Sequence, residues 1–551
     1  MWKMQKLFKR INKEYIALFA IFLLAFFVRV YKVNSLPVSL NWDEAAIGYN
    51  AYSILKTGKD EWGKFLPLSF RSFGDYKAPL LIYLTVPFVA VFGLSELAVR
   101  LPVVLAGSLI AVSSYFLVVL LFDEKKRLIA YLTSFILAIS PWQIFFSKGG
   151  YEATLSLLFV ILGLIFWLLF LQKRDYSLVF SALFLSLSLF SYHSAKVFVP
   201  LLLIFLIVSN YKFLRKNIKQ ILIPGVILLA VFGYLSVNFF SSNTRASGTI
   251  ILFDQFVKDR GQYLFEIQQE AYLNAINQGK TLSVWLNKRP IFIFRAFVDN
   301  YLKNISPYYL VFQNKFQNYR VFLGGISLFT IWEFLLAFFG LFILFKKKKK
   351  SRFLILFWLS AAAIAPALSM ESPHPIRGMF VLYLVSILST YGLGMFLYSI
   401  YKKFGKKFFS FVFLVVIFLL TVHFYNFAFT YLNKFSSQSA FDWQYGMKQV
   451  FDYINNNEYK YKNIYIEDYY GQAYIFYLFY SQKLLNKTEV ENNASIIGKF
   501  NFIQKTFPQR FEIGTGSLIM VYTNGVIKGD KLVKTINYPN NESLFSFYEI
   551  N

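Results

Sequence analysis

Long blocks of apolar residues constrain this chain more than any other feature. Hydrophobic residues make up 57% of its 551 residues, and they come in runs near the length of about 20 residues that crosses a bilayer. Clusters of Lys and Arg separate these runs, as is typical of cytoplasmic loops, so membrane orientation explains the net charge of +28 better than nucleic-acid binding does. The sequence predicts an all-α polytopic membrane protein. It contains no cysteine, which excludes disulfides and thiolate metal sites.

The basic clusters also predict an orientation. We assign residues 3–13, 125–127, 173–174, 212–219, 346–352 and 402–407 to the cytoplasm. Keeping all of these clusters on one side requires eleven spans, near residues 15–33, 97–122, 128–146, 152–171, 177–191, 196–209, 219–239, 321–345, 353–369, 377–400 and 408–431. These spans define a transmembrane domain of residues 1–431.

The extramembrane regions follow from the same assignment. The apolar block Pro79–Gly93 is short for a span, so we interpret it as an interfacial or re-entrant helix. Residues 34–96 then form one outer loop, with a first helix near 43–57, and residues 240–320 form a second outer loop with some helical character. The tail, residues 432–551, is predicted to be a small α/β domain outside the membrane. Its predicted elements are a helix over Asp442–Asn455 and strands over Asn463–Glu467 and Ser517–Tyr522.

Two adjacent carboxylates, Asp43 and Glu44, follow the first span by about ten residues. Carboxylates at the edge of a membrane are costly, and they favour a functional interpretation. A structural interpretation competes with it, because Asn41 and Glu44 have the spacing of a capping box and acidic residues suit any helix N-terminus.

Other unusual polar residues fall on the same outer side in this topology. Together with the two carboxylates, the candidate site residues are Tyr76, Lys77, Lys148, Glu152, His193, Lys196, His374 and Arg377. A carboxylate can take the proton of an acceptor hydroxyl as that hydroxyl attacks an anomeric carbon. Lysine and arginine can hold a phosphate that becomes the leaving group. Since no phosphate-binding Gly-rich loop is visible, this chemistry favours a lipid-linked sugar as donor over a nucleotide sugar.

Each candidate also has a simpler interpretation. In this interpretation Lys77 is a membrane lysine whose side chain reaches the interface, Glu152 caps a helix, and Arg377 anchors a span at the interface. Asp43, Glu44 and Glu152 together also suit Mg²⁺ or Mn²⁺, whose preferred ligands are hard oxygens. The sequence identifies no cofactor with certainty, and a site for Mg²⁺ or Mn²⁺ is the alternative.

Four motifs carry a family resemblance. They are Trp42-Asp43-Glu44 with Tyr49, Tyr76-Lys77-Ala78-Pro79, Ser140-Pro141-Trp142, and the segment Ser147–Glu152. In order and spacing they resemble the GT-C membrane glycosyltransferases, in the branch of the protein O-mannosyltransferases and the lipid A aminoarabinose transferase. The resemblance covers roughly residues 15–400.

The resemblance implies roles for several residues. Asp43 would be the catalytic base, Lys77 would lie near the donor phosphate, and Glu152 would be the second acidic residue, where relatives often carry Asp. His374 and Arg377 would lie near the lipid phosphate, although the local match is looser. The C-terminal domain resembles domains thought to help recognise acceptors.

We therefore expect a multi-pass protein of the cell membrane whose active site faces away from the cytoplasm. It would be an inverting glycosyltransferase that moves a sugar from polyprenyl phosphate to a lipid, glycan or protein hydroxyl, with membrane lipids as its surroundings. The alternatives are a lipid or polysaccharide flippase and a catalytically silent scaffold. A flippase predicts polar residues buried along mid-span paths and paired repeats, whereas here the polar residues cluster at span ends. The set of Asp43, Lys77 and Glu152 argues against a scaffold.

Overall fold

A computed structural model describes most of the chain. The described residues are 2–73, 75–122, 127–240, 261–313, 318–322, 324–347, 351–369, 371–491, 494–503, 513–522 and 530–550. Parts of several predicted segments lie outside them, among them Lys125 and Lys126, Lys348–Lys350, residues 241–260 and 314–317 of the second predicted outer loop, residue 323 of a predicted span, and residues 504–512 and 523–529 of the tail.

Helices make up most of the described part of the first 240 residues. The helices are α1 (Trp2–Val30), α2 (Trp42–Thr57), α3 (Pro79–Phe92), α4 (Glu96–Phe122), α5 (Arg127–Ile139), α6 (Pro141–Phe145), α7 (Glu152–Lys173), α8 (Ser177–Leu189), α9 (Ala195–Ser209), α10 (Tyr211–Lys216) and α11 (Ile218–Phe240). Between α2 and α3 lies a two-stranded antiparallel ribbon, β1 (Phe70–Ser72) with β2 (Asp75–Lys77).

Helices also dominate the next part of the chain. They are α12 (Gly261–Asn277), α13 (Thr281–Leu286), α14 (Arg289–Ile305), a π-helical turn (Tyr308–Phe312), α15 (Ile331–Lys346), α16 (Ser351–Ala362), α17 (Ile364–Ala367), α18 (Met379–Asn433) and α19 (Phe435–Ser439). In the described part of the chain, four helices are long and apolar enough to cross a membrane, namely Glu96–Phe122, Glu152–Lys173, Ile218–Val237 and Met379–Asn433. Further apolar helices are shorter, so the count of eleven spans stays a prediction.

Several predicted boundaries differ from the structure for identifiable reasons. The span predicted over 321–345 begins only at Ile331, because Thr330 and Glu333 form a capping box that starts the helix there. The block 128–146 is two helices, since Pro141 starts a new one at its first position. The two last predicted spans are continuous in α18 except at Gly405, whose φ of 75° interrupts the helix within the basic cluster 402–407.

The C-terminal region contains a six-stranded mixed sheet. Its strands are β3 (Asn463–Glu467), β4 (Ile496–Ile497), β5 (Phe500–Ile503), β6 (Ser517–Tyr522), β7 (Lys531–Asn537) and β8 (Ser543–Ile550), in the order β4-β5-β3-β6-β8-β7. Strand β3 runs parallel to both β5 and β6, whereas β8 is antiparallel to β6 and β7. Three helices accompany the sheet: α20 (Met447–Asn457), α21 (Ala473–Ser481) and α22 (Lys487–Glu491).

The predictions for this region are confirmed in part. Both predicted strands have the predicted bounds. The predicted helix starts at Met447 instead of Asp442, because Gly446 with a φ of 96° breaks the backbone immediately before it.

Helix α2 lies between the helical domain and the C-terminal domain. A Cβ at Gly48 would come within 2.6 Å of Val99 on α4 and 2.5 Å of Phe479 on α21, so only glycine permits this approach. One residue further along, the Tyr49 hydroxyl donates a hydrogen bond to the carbonyl of Lys483 at 2.7 Å. The position of α2 therefore depends on both domains.

Candidate active site

A cavity of about 1100 Å³ lies where α2, α3, α7, α9 and the C-terminal domain meet. Eight of the ten candidate site residues line it: Asp43, Tyr76, Lys77, Glu152, His193, Lys196, His374 and Arg377. Glu44 and Lys148 are not among its lining residues. Residues that are more than 300 positions apart in the sequence therefore share one chamber.

Asp43 occupies the second position of α2, directly after the cap. The Asn41 side chain accepts hydrogen bonds from the backbone N–H of Asp43 and of Glu44, at 2.9 and 3.1 Å. The Asp43 side chain is 34% exposed, and each of its oxygens accepts from a cation: Oδ1 from Lys77 Nζ and Oδ2 from Arg320 Nη2. Two positive charges thus hold this carboxylate at the cavity wall.

The two cations control the ionisation of Asp43. Burial alone would raise the pKa of this carboxyl group. The positive charges and hydrogen bonds of Lys77 and Arg320 outweigh burial and hold the pKa well below its usual range. Asp43 is therefore ionised at neutral pH and able to accept a proton.

The neighbouring Glu44 has a different environment. Its side chain is 1% exposed, and it completes the predicted capping box by accepting from the Asn41 backbone N–H at 3.2 Å. It also accepts from Arg100 Nε at 2.9 Å, from Arg100 Nη2 at 3.0 Å and from the Gly150 N–H at 2.9 Å. The side chains of the two adjacent carboxylates thus point in different directions, that of Asp43 into the cavity and that of Glu44 into the protein interior.

Arg100, on α4, holds the segment that connects α1 to α2. Besides Glu44, its guanidinium donates to the carbonyls of Val33 at 2.7 Å, Pro37 at 3.1 Å and Ser39 at 2.6 Å. All five N–H groups of the guanidinium therefore have an acceptor within the protein, which matters because the residue is fully buried. Arg100 holds the connection between α1 and α2 in one conformation, and with it the backbone that presents Asp43.

The ribbon and α3 position Lys77. Lys77 ends β2 opposite Phe70, and Pro79 starts α3 at its first helical position after Ala78. The Leu80 N–H donates to the Phe190 carbonyl at the end of α8, at 3.2 Å. Lys77 therefore leaves a short, anchored segment and reaches Asp43.

Further cations surround His193, between α8 and α9. Lys196 Nζ lies 3.3 Å from His193 Nδ1, and the charges of Lys77 and Arg377 also act on this ring. Removal from solvent, followed by these neighbouring cations, lowers the pKa of His193 to about 3. The imidazole is therefore neutral at pH 7, and the positive charge of this region resides on the lysines and the arginine.

The last predicted segment contributes Arg377 and His374. Arg377 donates through Nη1 to Ser369 Oγ and through Nη2 to Glu371 Oε2, the latter at 3.3 Å. Burial and the nearby charges of Arg377 and Arg320 lower the pKa of His374 well below its usual value, so this ring is also neutral. Glu152 is the first residue of α7 and lines the same cavity.

Lys148 differs from the other candidates. It is buried, its Nζ donates to the Tyr31 carbonyl, and it lies over the Tyr431 ring at 5.5 Å. Burial, with smaller effects of Arg100 and Arg29, lowers its pKa to about 7. Its surroundings belong to the packed interior beside the cavity.

The metal alternative gains no geometric support. Among the residues that the structure describes, no group of three or more His, Asp or Glu side chains is arranged to hold a metal ion. Asp43 faces two cations, and Glu44 faces Arg100, which gives neither carboxylate the surroundings of a metal ligand.

Arg320 and Arg100 are the site residues that sequence reasoning missed. Arg320 lies in a loop 277 positions after Asp43, within a region interpreted only as an outer loop. Its carbonyl accepts from the Tyr151 hydroxyl, and its guanidinium lies 5.3 Å from the Trp42 ring. Arg100 had a detectable signal, because it is an arginine inside an apolar run, and such residues are rare and paired.

Comparisons with known proteins agree with the predicted resemblance. Residues 76–236 match the model of the family described as dolichyl-phosphate-mannose-protein mannosyltransferase. The resemblance to the GT-C membrane glycosyltransferases is thereby confirmed. The matched segment includes Lys77, Glu152 and His193, and ends before Arg320.

Solved structures resemble the chain at low sequence identity. The oligosaccharyltransferase AglB from Archaeoglobus fulgidus, in complex with an inhibitory peptide and a dolichol-phosphate, is 14% identical with a TM-score of 0.49, and the match covers 86% of this chain and 64% of that one. ArnT from Cupriavidus metallidurans, bound to undecaprenyl phosphate, is 13% identical with a TM-score of 0.44, and the match covers 97% and 98%. This chain thus spans just under two thirds of the archaeal enzyme. No curated protein sequence matches it.

Proposed function

We propose that this protein is an inverting glycosyltransferase that moves a sugar from a polyprenyl phosphate to an acceptor hydroxyl outside the cytoplasm. The observation that carries the proposal is the pairing of Asp43 with Lys77 and Arg320 at the wall of a large cavity. An ionised carboxylate beside cations combines a proton acceptor with groups that bind a phosphate. The family model that matches residues 76–236 is named for a donor of this class.

In the proposed reaction, Asp43 takes the proton of the acceptor hydroxyl. The acceptor oxygen forms a bond to the anomeric carbon from the face opposite the phosphate, and the bond from that carbon to the phosphate oxygen breaks. The electron pair of this bond leaves with the polyprenyl phosphate, so the configuration inverts. Because Lys77 helps to lower the pKa of Asp43, binding of Lys77 to the donor phosphate would make the carboxylate a stronger base.

The donor phosphate would bind among Lys77, Lys196 and Arg377. All three line the same cavity as the His193 ring, and Lys196 Nζ lies 3.3 Å from His193 Nδ1. A growing negative charge on the leaving phosphate interacts more strongly with such fixed cations than the ground state does. Glu152, in the same cavity, would position the acceptor, and Glu44 would keep a structural role.

The distribution of basic residues supports an active site facing away from the cytoplasm. Helix α7 begins at Glu152 in the cavity and, after 22 residues or about 33 Å, ends at Lys173. The basic cluster around Gly405 likewise lies in the middle of α18, far from Met379 at its start. Short loops rich in Lys and Arg are typical of the cytoplasmic side.

The test is Asp43→Asn, which keeps the shape of the side chain but removes the proton acceptor. We expect turnover to fall by roughly 10²–10⁴-fold, the usual effect of losing a general base. Asp452→Asn is the matched control, because Asp452 is exposed on the C-terminal domain and lies outside the cavity lining. The assay follows release of polyprenyl phosphate by the purified protein in nanodiscs. Activity of Asp43→Asn within a few fold of wild type would exclude Asp43 as the base.

A further inference from the structure

A group of aromatic side chains forms one side of the cavity. Phe441, Tyr469 and Tyr470 line the cavity from the C-terminal domain, and we call these three residues the aromatic wall. Phe441 is 55% exposed and Tyr469 is 38% exposed. The rings of Tyr469 and Tyr470 lie 6.1 and 5.7 Å from that of Phe441. The three rings form one contiguous patch, and contiguous exposed apolar patches are typical of ligand-binding grooves.

The wall is held rigidly. The Asp468 carboxylate accepts from the N–H groups of Gln472 and Ala473 at 2.8 and 2.7 Å, which fixes the turn between β3 and α21. Tyr522 stacks on Tyr469 with ring centroids 3.7 Å apart and an angle of 7° between the planes. A ligand would therefore meet rings that are already oriented, so little conformational entropy is lost on binding.

The wall also lies next to the proposed base. Gln444, near Phe441 in the sequence, accepts from the Trp42 N–H through Oε1 at 3.0 Å. Asp442 accepts from the Tyr319 N–H at 2.7 Å, one residue before Arg320. Trp42 precedes Asp43 in the sequence and Arg320 pairs with its carboxylate, so an acceptor on the wall would reach the carboxylate at its Arg320 side.

The two sides of the cavity differ in charge. Lys77, Lys196 and Arg377 surround His193 on the proposed phosphate side. The wall side contributes aromatic rings, the amide of Gln444 and the carboxylate of Asp442, and the neighbouring Arg320 is paired with Asp43. Ring faces bind the C–H groups of a sugar, since the faces are electron-rich and those hydrogens carry partial positive charge, while amides and carboxylates hydrogen-bond its hydroxyls.

The sheet topology disfavours an extended peptide at this place. Tyr469 and Tyr470 follow the carboxyl end of β3, and Tyr522 ends the parallel strand β6. The carboxyl ends of parallel strands commonly bind ligands. Both strands have neighbours on each side in the sheet, so neither offers a free edge to which a peptide strand can add.

We propose that the aromatic wall of Phe441, Tyr469 and Tyr470 is the acceptor subsite and that it binds a carbohydrate. The acceptor is then a glycan or the sugar headgroup of a glycolipid, with one of its hydroxyls directed to Asp43. This inference rests on the proposed function, because it assigns the acceptor of the same cavity.

The test compares binding of two probes to the full chain in nanodiscs by saturation-transfer NMR. One probe is the pool of oligosaccharides released by mild acid from the envelope of the source cells, and the other is a pool of Ser- and Thr-containing peptides. We expect the oligosaccharides to bind, and Phe441→Ala and Tyr469→Leu each to weaken binding by about tenfold, while Tyr469→Phe retains it. Tyr459→Ala is the control, because Tyr459 is 77% exposed on the same domain and does not line the cavity.

Three results would overturn the acceptor assignment: no oligosaccharide binding, oligosaccharide binding unchanged in both wall variants, or peptide binding that the wall variants abolish. Measurements of turnover distinguish a failure of this inference from a failure of the proposed function. In the wall variants the acceptor KM should rise while the donor KM is unchanged. If wild-type protein releases no polyprenyl phosphate from any lipid-linked sugar, the proposed function fails, whatever the wall binds.

Discussion

Replacing Glu44 by Gln tests whether the two adjacent carboxylates have separate roles. In the structure, Glu44 accepts four hydrogen bonds in the protein interior, two from Arg100 and one each from the Asn41 and Gly150 N–H groups. A glutamine is nearly the same size, but it carries no charge and one of its two terminal atoms is a donor. Arg100 would then be a buried cation without its counter-charge.

The expected effect is large. Breaking a buried ion pair by neutralising one partner typically costs about 3–5 kcal/mol, because the remaining charge is left uncompensated. That loss corresponds to roughly a hundredfold to several thousandfold in the folding equilibrium. Asp43→Asn, one residue earlier, should change stability far less, since Asp43 is 34% exposed in the cavity.

Thermal unfolding in nanodiscs measures stability, and turnover is measured well below the transition temperature. Glu44→Gln should unfold at a clearly lower temperature than both wild type and Asp43→Asn. The double variant Glu44→Gln/Arg100→Met should lose less stability than the sum of the two single variants, because the first change removes the partner of the second. If Glu44→Gln unfolds like wild type and yet loses as much turnover as Asp43→Asn, Glu44 takes part in the chemistry and the separation of roles is wrong.

Three further predictions concern the donor, the pH dependence and the topology. Lys77→Ala should raise the donor KM and lower kcat together, with partial recovery in Lys77→Arg; a mere change in stability would show that the lysine is only structural. Arg320→Ala removes a charge that depresses the pKa of Asp43, so the acid limb of the pH profile of kcat/KM should move to higher pH, and an unmoved limb would contradict the pairing. Reporter fusions at Arg127 and Asn455 should appear on opposite sides of the membrane; the same side for both would mean that Pro79–Gly93 spans it.

The parts of the site that depend on neighbouring residues were easier to predict from the sequence than the parts that depend on distant contacts. The cap at Asn41, the helix that starts at Pro79 and the start of α7 at Glu152 are properties of a few neighbouring residues, and the structure contains all three. The strands Asn463–Glu467 and Ser517–Tyr522 were equally readable from their apolar and β-branched residues.

What the sequence did not show depends on contacts between distant segments. Nothing near Arg320 indicates that it meets Asp43, because the loop has no motif and the two residues are 277 positions apart. The division between Asp43 and Glu44 was also hidden, since adjacent helical residues point in different directions and only Arg100 and Gly150 determine which one is interior.

The contact between Tyr49 and Lys483 has a consequence for biosynthesis. The two residues are 434 positions apart, and a ribosome adds about 5–20 residues per second, so roughly 20–90 s separate their synthesis. During that interval the helix that carries Asp43 is already made, while the domain that covers its other face does not yet exist. A nascent chain inserted in the membrane therefore lacks a complete cavity until Tyr469 and Tyr470, the last residues that line it, have been translated.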